Sequence, residues 1–244
     1  MPRRSVLIRS RDRHGAAGLV ARAGRATDVT MAVLAGLLAM TGIEHGIGEI
    51  RQGPVAPRSL VIESWPDSPA FEVLAGEPAL TVVPNLAYRG ILAVLISLLA
   101  ATWAAVAAHR RHGGLVLVGL CGVLLVVGGG FGPPLLGTVL GLTLTLAQRR
   151  APRSIPDAGL ARWWPWPLVV ATASFLGLFP GTVLLQQLTD LDAAWVVPVL
   201  TLMGFTGAVV AVLAARARDH QRTSPSPETP AATARPTGAH HADP

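Results

Sequence analysis

The chain has 244 residues, of which 51% are hydrophobic and only 14% charged, with a mean hydropathy of +0.49. A soluble domain carries about a quarter charged residues; here the charges leave several stretches of about 18 residues or more empty, the mark of a polytopic membrane protein. The twenty basic residues are all Arg and Cys121 is the single cysteine, which excludes lysine Schiff-base chemistry, an intrachain disulfide and cysteine-built metal or iron–sulfur sites.

Residues 1–27 hold seven Arg and read as a basic cytoplasmic segment that orients the first span. No cleavage pattern follows Arg3-Arg4, so the first span is expected to stay in place. That span runs over about residues 29–50. It ends in GIEHGIGEI, where Glu44, His45 and Glu49 break the apolar run. Residues 51–83 are polar, rich in Pro and Gly and acidic on balance, with Glu63, Asp67, Glu72 and Glu77 against Arg51 and Arg58. They read as an outward lid. Within it LVIESW suits an extended strand, and Ser68-Pro69 suits a short helix stopping near Gly76.

A second span is expected over about 85–108, closed by His109-Arg110-Arg111-His112. The block 113–147 has no charge and is interrupted by GGGFGPP at 128–134. Gly and Pro at this density predict two short helices joined by a tight turn, either two crossings or a re-entrant hairpin. Trp163, Trp164 and Trp166 mark an interface before a fifth span over about 168–188, kinked at Phe179-Pro180-Gly181. After a turn with Asp190 and Asp192, a sixth span covers about 193–215. The tail, 216–244, is rich in Ser, Thr, Pro and Ala and reads as disordered and cytoplasmic.

The expected fold class is therefore all-α: a transmembrane bundle of about six spans over 28–215, with a short outward-facing loop subdomain. The N-terminus, the two loops at 109–112 and 148–162, and the tail hold seven, two, four and four Arg; the alternate loops hold Arg51 and Arg58 alone. This asymmetry puts both termini in the cytoplasm and the protein in the inner or plasma membrane. The net charge of +6 follows the topology, so no nucleic-acid partner is expected.

Depth then places the polar residues. Glu44, His45 and Glu49 fall about 21–29 Å along the first helix, in its outer third. His45 and Glu49, four residues apart, share a face, and Glu44 lies about 100° round. Arg89, at the outer start of the second span, is the natural partner for a carboxylate. An Arg89–Glu network joining the first two helices is expected, because an unpaired charge at this depth is expensive. The candidate cluster is Glu44, His45, Glu49 and Arg89. Three readings stay open for it: helix packing alone, a proton-handling or ligand site, or a metal site. The metal reading takes His45 and Glu49 as candidate ligands with a third from Glu63, Asp67, Glu72 or Glu77. No cofactor is expected, and a bis-histidine haem is unexpected because no second His lies within a span.

The segments GIEHGIGEI (42–50), LAGEPALTVVPN (74–85), HGG (112–114), GGGFGPPLLG (128–137), WPW (164–166) and LFPG (178–181) resemble those of an uncharacterised family of prokaryotic multi-pass membrane proteins. The resemblance spans 42–181 and implies a shared membrane architecture and no particular activity. The leading functional expectation is a non-enzymatic accessory, interaction or small-ligand-binding membrane protein. Its partners would be the bilayer and a second copy of the chain or another membrane protein. The alternative is a transporter or channel subunit; third comes a membrane enzyme or metal-binding protein using His45 with Glu44 or Glu49.

Overall fold

The computed structural model describes residues 25–108, 110–149, 158–188 and 195–223. The elements in order are α1 (Ala26–Arg51), β1 (Val61–Glu63), a 3-10 turn (Pro69–Leu74), β2 (Pro78–Leu80), α2 (Leu86–Val106), α3 (Gly113–Val126), α4 (Gly132–Arg149), α5 (Ala158–Trp163), α6 (Trp166–Leu176), a π-helical turn (Gly177–Gly181), α7 (Thr182–Leu188) and α8 (Val196–Thr223). The fold is an all-α bundle with one two-stranded antiparallel ribbon. Four helical segments, Ala26–Arg51, Leu86–Val106, Trp166–Leu185 and Val196–Arg222, are long and apolar enough to cross a bilayer, and Gly113–Val126 is a shorter apolar helix.

α1 is the hub. It packs along α2 and also touches α4, α6 and α8. Its buried stripe, Leu34, Leu37 and Leu38, meets Leu117, Leu124, Leu136 and Leu140 from the α3–α4 hairpin. The crossing of α1 and α2 is close because both backbones are bare there. A Cβ at Gly46 would meet the Gly90 carbonyl oxygen, and a Cβ at Gly90 would meet that of Gly46. One turn back, Gly42 abuts Ser97. Gly42 and Gly46 are four apart and share this face, the small-residue pattern that lets helices approach. At the start of α2, the Asn85 side chain accepts a hydrogen bond from the Tyr88 backbone N–H at 3.1 Å, a standard N-cap.

Pro180 sits inside the expected kink. A proline has no N–H and its ring clashes with the carbonyl four residues back. The chain answers by widening into the π turn Gly177–Gly181 instead of breaking sharply.

The largest departure from the sequence reading among the described residues is at the C-terminal end. The tail was expected to be disordered from 216, yet α8 is helical to Thr223. Its last turns are held by tertiary contacts. Arg216 Nη2 donates to the Ala147 carbonyl at 3.2 Å, Arg218 lies over the Trp164 ring at 5.1 Å, and the Asp219 carboxylate accepts from the backbone N–H groups of Ala26 and Thr27 at 2.8 and 2.9 Å. Asp219 thereby caps α1, whose own N-cap residue, Arg25, offers no side-chain acceptor. Asp219→Ala is expected to lower stability by about 1 kcal/mol, the usual worth of a cap, read as a fall in Tm in detergent; an unchanged Tm would count against the cap. The expected N-terminal segment up to residue 24, the tail from 224, the Asp190–Asp192 turn and most of the 148–162 loop lie outside the described residues.

The ends of the bundle differ in chemistry. One gathers Arg110, Arg111, Arg149, Arg162, Arg216, Arg218 and Arg222; the other carries the lid, residues 52–85. In the lid β1 pairs with β2 (Val61 opposite Leu80, Glu63 opposite Pro78), so the extended LVIESW stretch finds its partner in PAL. Trp65 stacks on Phe71 at 4.8 Å and Phe71 approaches Phe179 at 6.1 Å, seating the lid on the π turn.

Candidate functional site

The polar residues of α1 divide into two groups. Glu49 and Arg89 form the first. Both are fully buried, and Arg89 Nη2 lies 2.8 Å from Glu49 Oε1. Ser64 of the lid donates to the same oxygen at 3.4 Å. Glu49 Oε2 and Arg89 Nε and Nη1 have no hydrogen-bond partner among the described residues. The contact is thus ionic and single-pointed, not a bidentate fork. It is positioned by the Gly46–Gly90 crossing, since Glu49 lies one turn beyond Gly46 and Arg89 directly precedes Gly90.

Glu44, His45 and Glu77 form the second group. His45 Nδ1 lies 3.0 Å from Glu44 Oε2 and also contacts Glu77 Oε2. One ligand atom from each of the three falls within 4.8 Å of the others. The other Glu44 oxygen accepts from the Trp65 indole N–H, which turns Oε2 towards the imidazole. Glu77 sits in the left-handed region at φ 55, as do Asp67 and Ala75 of the same lid. A side chain there is strained by about 1–2 kcal/mol. The twist aims the Glu77 carboxylate down onto α1. Burial pushes the Glu77 carboxyl up, but the charge of His45 and hydrogen bonds from His45 and Glu44 outweigh it, so the group is held below the ordinary carboxylate range.

The far edge of His45 faces the α3–α4 turn. A Cβ at Gly130 would occupy the position of His45 Nε2, and one at Gly128 would fall on the Arg89 guanidinium. Both glycines have positive φ, 68° and 101°. The GGGFGPP stretch, expected as a tight turn, therefore packs against both polar groups through Gly128 and Gly130.

A cavity of about 290 Å³ opens beside the second group. His45, Glu77, Thr41 and Thr201 are its polar lining residues, and Phe131, Phe175, Phe179 and Phe205 are among its apolar ones. The Thr41 hydroxyl is engaged with the Leu37 carbonyl at 2.9 Å.

Facial arithmetic put His45 with Glu49 and turned Glu44 away. The structure groups His45 with Glu44 and Glu77 and gives Glu49 to Arg89. Cα directions 100° apart do not keep neighbouring side chains apart when one is Glu, whose three torsions let the carboxylate swing back. Of the four lid carboxylates, only Glu77 reaches the triad. Glu63, Asp67 and Glu72 instead line surface clefts on the lid. Trp65, Gly130 and the aromatic wall carried no signal in the sequence, since they meet α1 only through the lid fold and the hairpin turn. The chain matches no protein-family model, and neither a curated protein nor a solved structure is similar to it.

Proposed function

We propose that this is a six-span membrane protein, with both termini cytoplasmic and the lid outside, that binds a small amphipathic ligand at its outer face without transforming it. The arginine-rich end supports this orientation by the positive-inside rule. The resemblance to multi-pass prokaryotic proteins supports the architecture. α3, with 14 residues, reaches only about 21 Å. It serves as a short span because its turn is covered by the lid-end groups rather than left bare in lipid.

The observation that carries the ligand reading is the cavity of about 290 Å³ lined by the ionisable groups His45 and Glu77 together with four phenylalanines. Small-molecule sites have this composition: a mainly apolar wall with a few convergent polar groups. Transport is less well supported. Inward of Thr41 the buried positions of α1 are Leu38, Leu37, Ala35, Leu34, Met31, Thr30 and Ala26, which put one hydroxyl and no ionisable group along that face.

The test uses eight-carbon amphiphiles with carboxylate, amine and alcohol heads, added to the protein in nanodiscs. At a hundredfold excess over Kd, a specific ligand stabilises by about 2.7 kcal/mol. At least one head class is expected to raise the wild-type Tm. Gly132→Leu should abolish the shift, because Gly132 lines the cavity and a Cβ there meets nothing within 4 Å. Equal shifts in both proteins, or none in either, would overturn the reading.

A further inference from the structure

We infer that Glu44, His45 and Glu77 form a binding site for one divalent metal ion of the borderline class, Zn²⁺ or Mn²⁺.

The first argument is convergence. Two carboxylate oxygens, Glu44 Oε2 and Glu77 Oε2, both address the same ring nitrogen, His45 Nδ1. That nitrogen has at most one proton to donate. A single N–H does not serve two carboxylates well, whereas a cation among the three atoms satisfies all of them at once. Those atoms already lie within 4.8 Å of one another, so small side-chain shifts bring all three to ligand distances of about 2.0–2.2 Å from one ion.

The second argument is burial and charge. His45 is 5% exposed and Glu44 8%, and the Glu77 side chain is 12% exposed. Without a metal, protons on His45 and Glu44 have to hold the two carboxylates together; a divalent ion would displace both protons and cancel both carboxylate charges with the imidazole neutral. Arg89, the nearest fixed cation on α2, is spent on Glu49 and does not supply it.

The third argument is support around the ligands. The Trp65 indole holds one Glu44 oxygen and leaves the other to point at the triad. Gly130 backs the imidazole edge and limits its rotation. Outer contacts that fix ligand orientation in this way are a usual part of metal sites.

The donor set selects the metal. One imidazole and two carboxylates favour Zn²⁺ or Mn²⁺; no thiolate is present to favour Cu⁺, and a nitrogen donor disfavours Mg²⁺ and Ca²⁺. Three protein ligands leave at least one position open. His45 and Glu77 also line the cavity, so a ligand with a Lewis-basic head, such as a carboxylate, would complete the coordination there. This last step rests on the ligand reading above; the metal site does not.

The experiment uses the full chain in nanodiscs, purified through a histidine-free tag, stripped with chelator and titrated separately with Zn²⁺ and Mn²⁺. One equivalent of at least one ion is expected to bind, with affinity falling at least tenfold in Glu77→Gln and unchanged in Glu72→Gln. Should Glu77→Gln fail to fold, the pulsed-EPR spectrum of Mn²⁺ bound to the wild type should still show one imidazole nitrogen. Substoichiometric binding, wild-type affinity in a folded Glu77→Gln, or Mn²⁺ bound without nitrogen coupling would each overturn the site. Gly132→Leu separates the two proposals, since it should lose the amphiphile shift and keep the metal.

Discussion

Arg89→Ala is expected to lower the stability of the bundle by about 3–5 kcal/mol, the range for removing one partner of a buried ion pair. The substitution leaves the Glu49 carboxylate with no cation, on a residue that is fully buried. It also leaves a void where the largest fully buried side chain among the described residues had been. Arg58 is the comparison, being exposed in the lid. Arg58→Ala should change stability by no more than about 0.5 kcal/mol. Equal melting temperatures for the two variants in detergent would refute a buried pair. The double variant Glu49→Gln with Arg89→Met separates charge from packing. It removes both charges together, so it should recover much of the loss. If it melts as low as Arg89→Ala, the pair contributes through shape rather than charge.

Gly130→Ala carries the second large effect. Gly130 has φ 68, where an L residue is disfavoured by about 1–2 kcal/mol. A Cβ there would also overlap His45 Nε2, and overpacking of this kind adds about 1–3 kcal/mol. A combined loss of about 2–5 kcal/mol is expected, together with displacement of His45 and weaker metal binding. Gly119→Ala is the control. Gly119 lies within α3, has open space where a Cβ would go, and is not at positive φ. There the substitution should be neutral or stabilise by up to about 1 kcal/mol, as Gly to Ala does inside a helix. A Gly130→Ala protein as stable as Gly119→Ala, with metal binding intact, would show that the turn does not clamp the imidazole.

Much of this protein is written locally. An apolar run with basic ends is a helix wherever it folds, so the long helices of the described bundle could be read from composition and punctuation, whereas the short α5 falls mostly in the stretch 148–162 that reads as a loop. The second apolar run placed the start of α2, expected at about 85 and found at Leu86, and Pro180 marked a defect in the fifth apolar segment. The tail is a contrary case. Its composition argues for disorder, but Arg216 and Asp219 find partners on α4 and α1 and Arg218 one in the turn at Trp164, and those contacts extend α8 to Thr223. Composition describes an isolated segment and is blind to such partners.

The outer polar cluster shows the same division at finer scale. By itself the sequence determined that Glu44, His45 and Glu49 sit near the lid end of α1 and that Arg89 starts the next helix beside them. Helical rise and hydropathy depend only on residues along one helix, so these follow from local spacing. Tertiary structure alone decided which carboxylate meets which partner. It gave Glu49 to Arg89 through the Gly46–Gly90 crossing and brought Glu77 down from the lid at a strained backbone angle. It also pressed Gly130 against the imidazole and set four phenylalanines around the cavity. Each of these joins residues from different elements, and no periodicity within one element encodes such a contact.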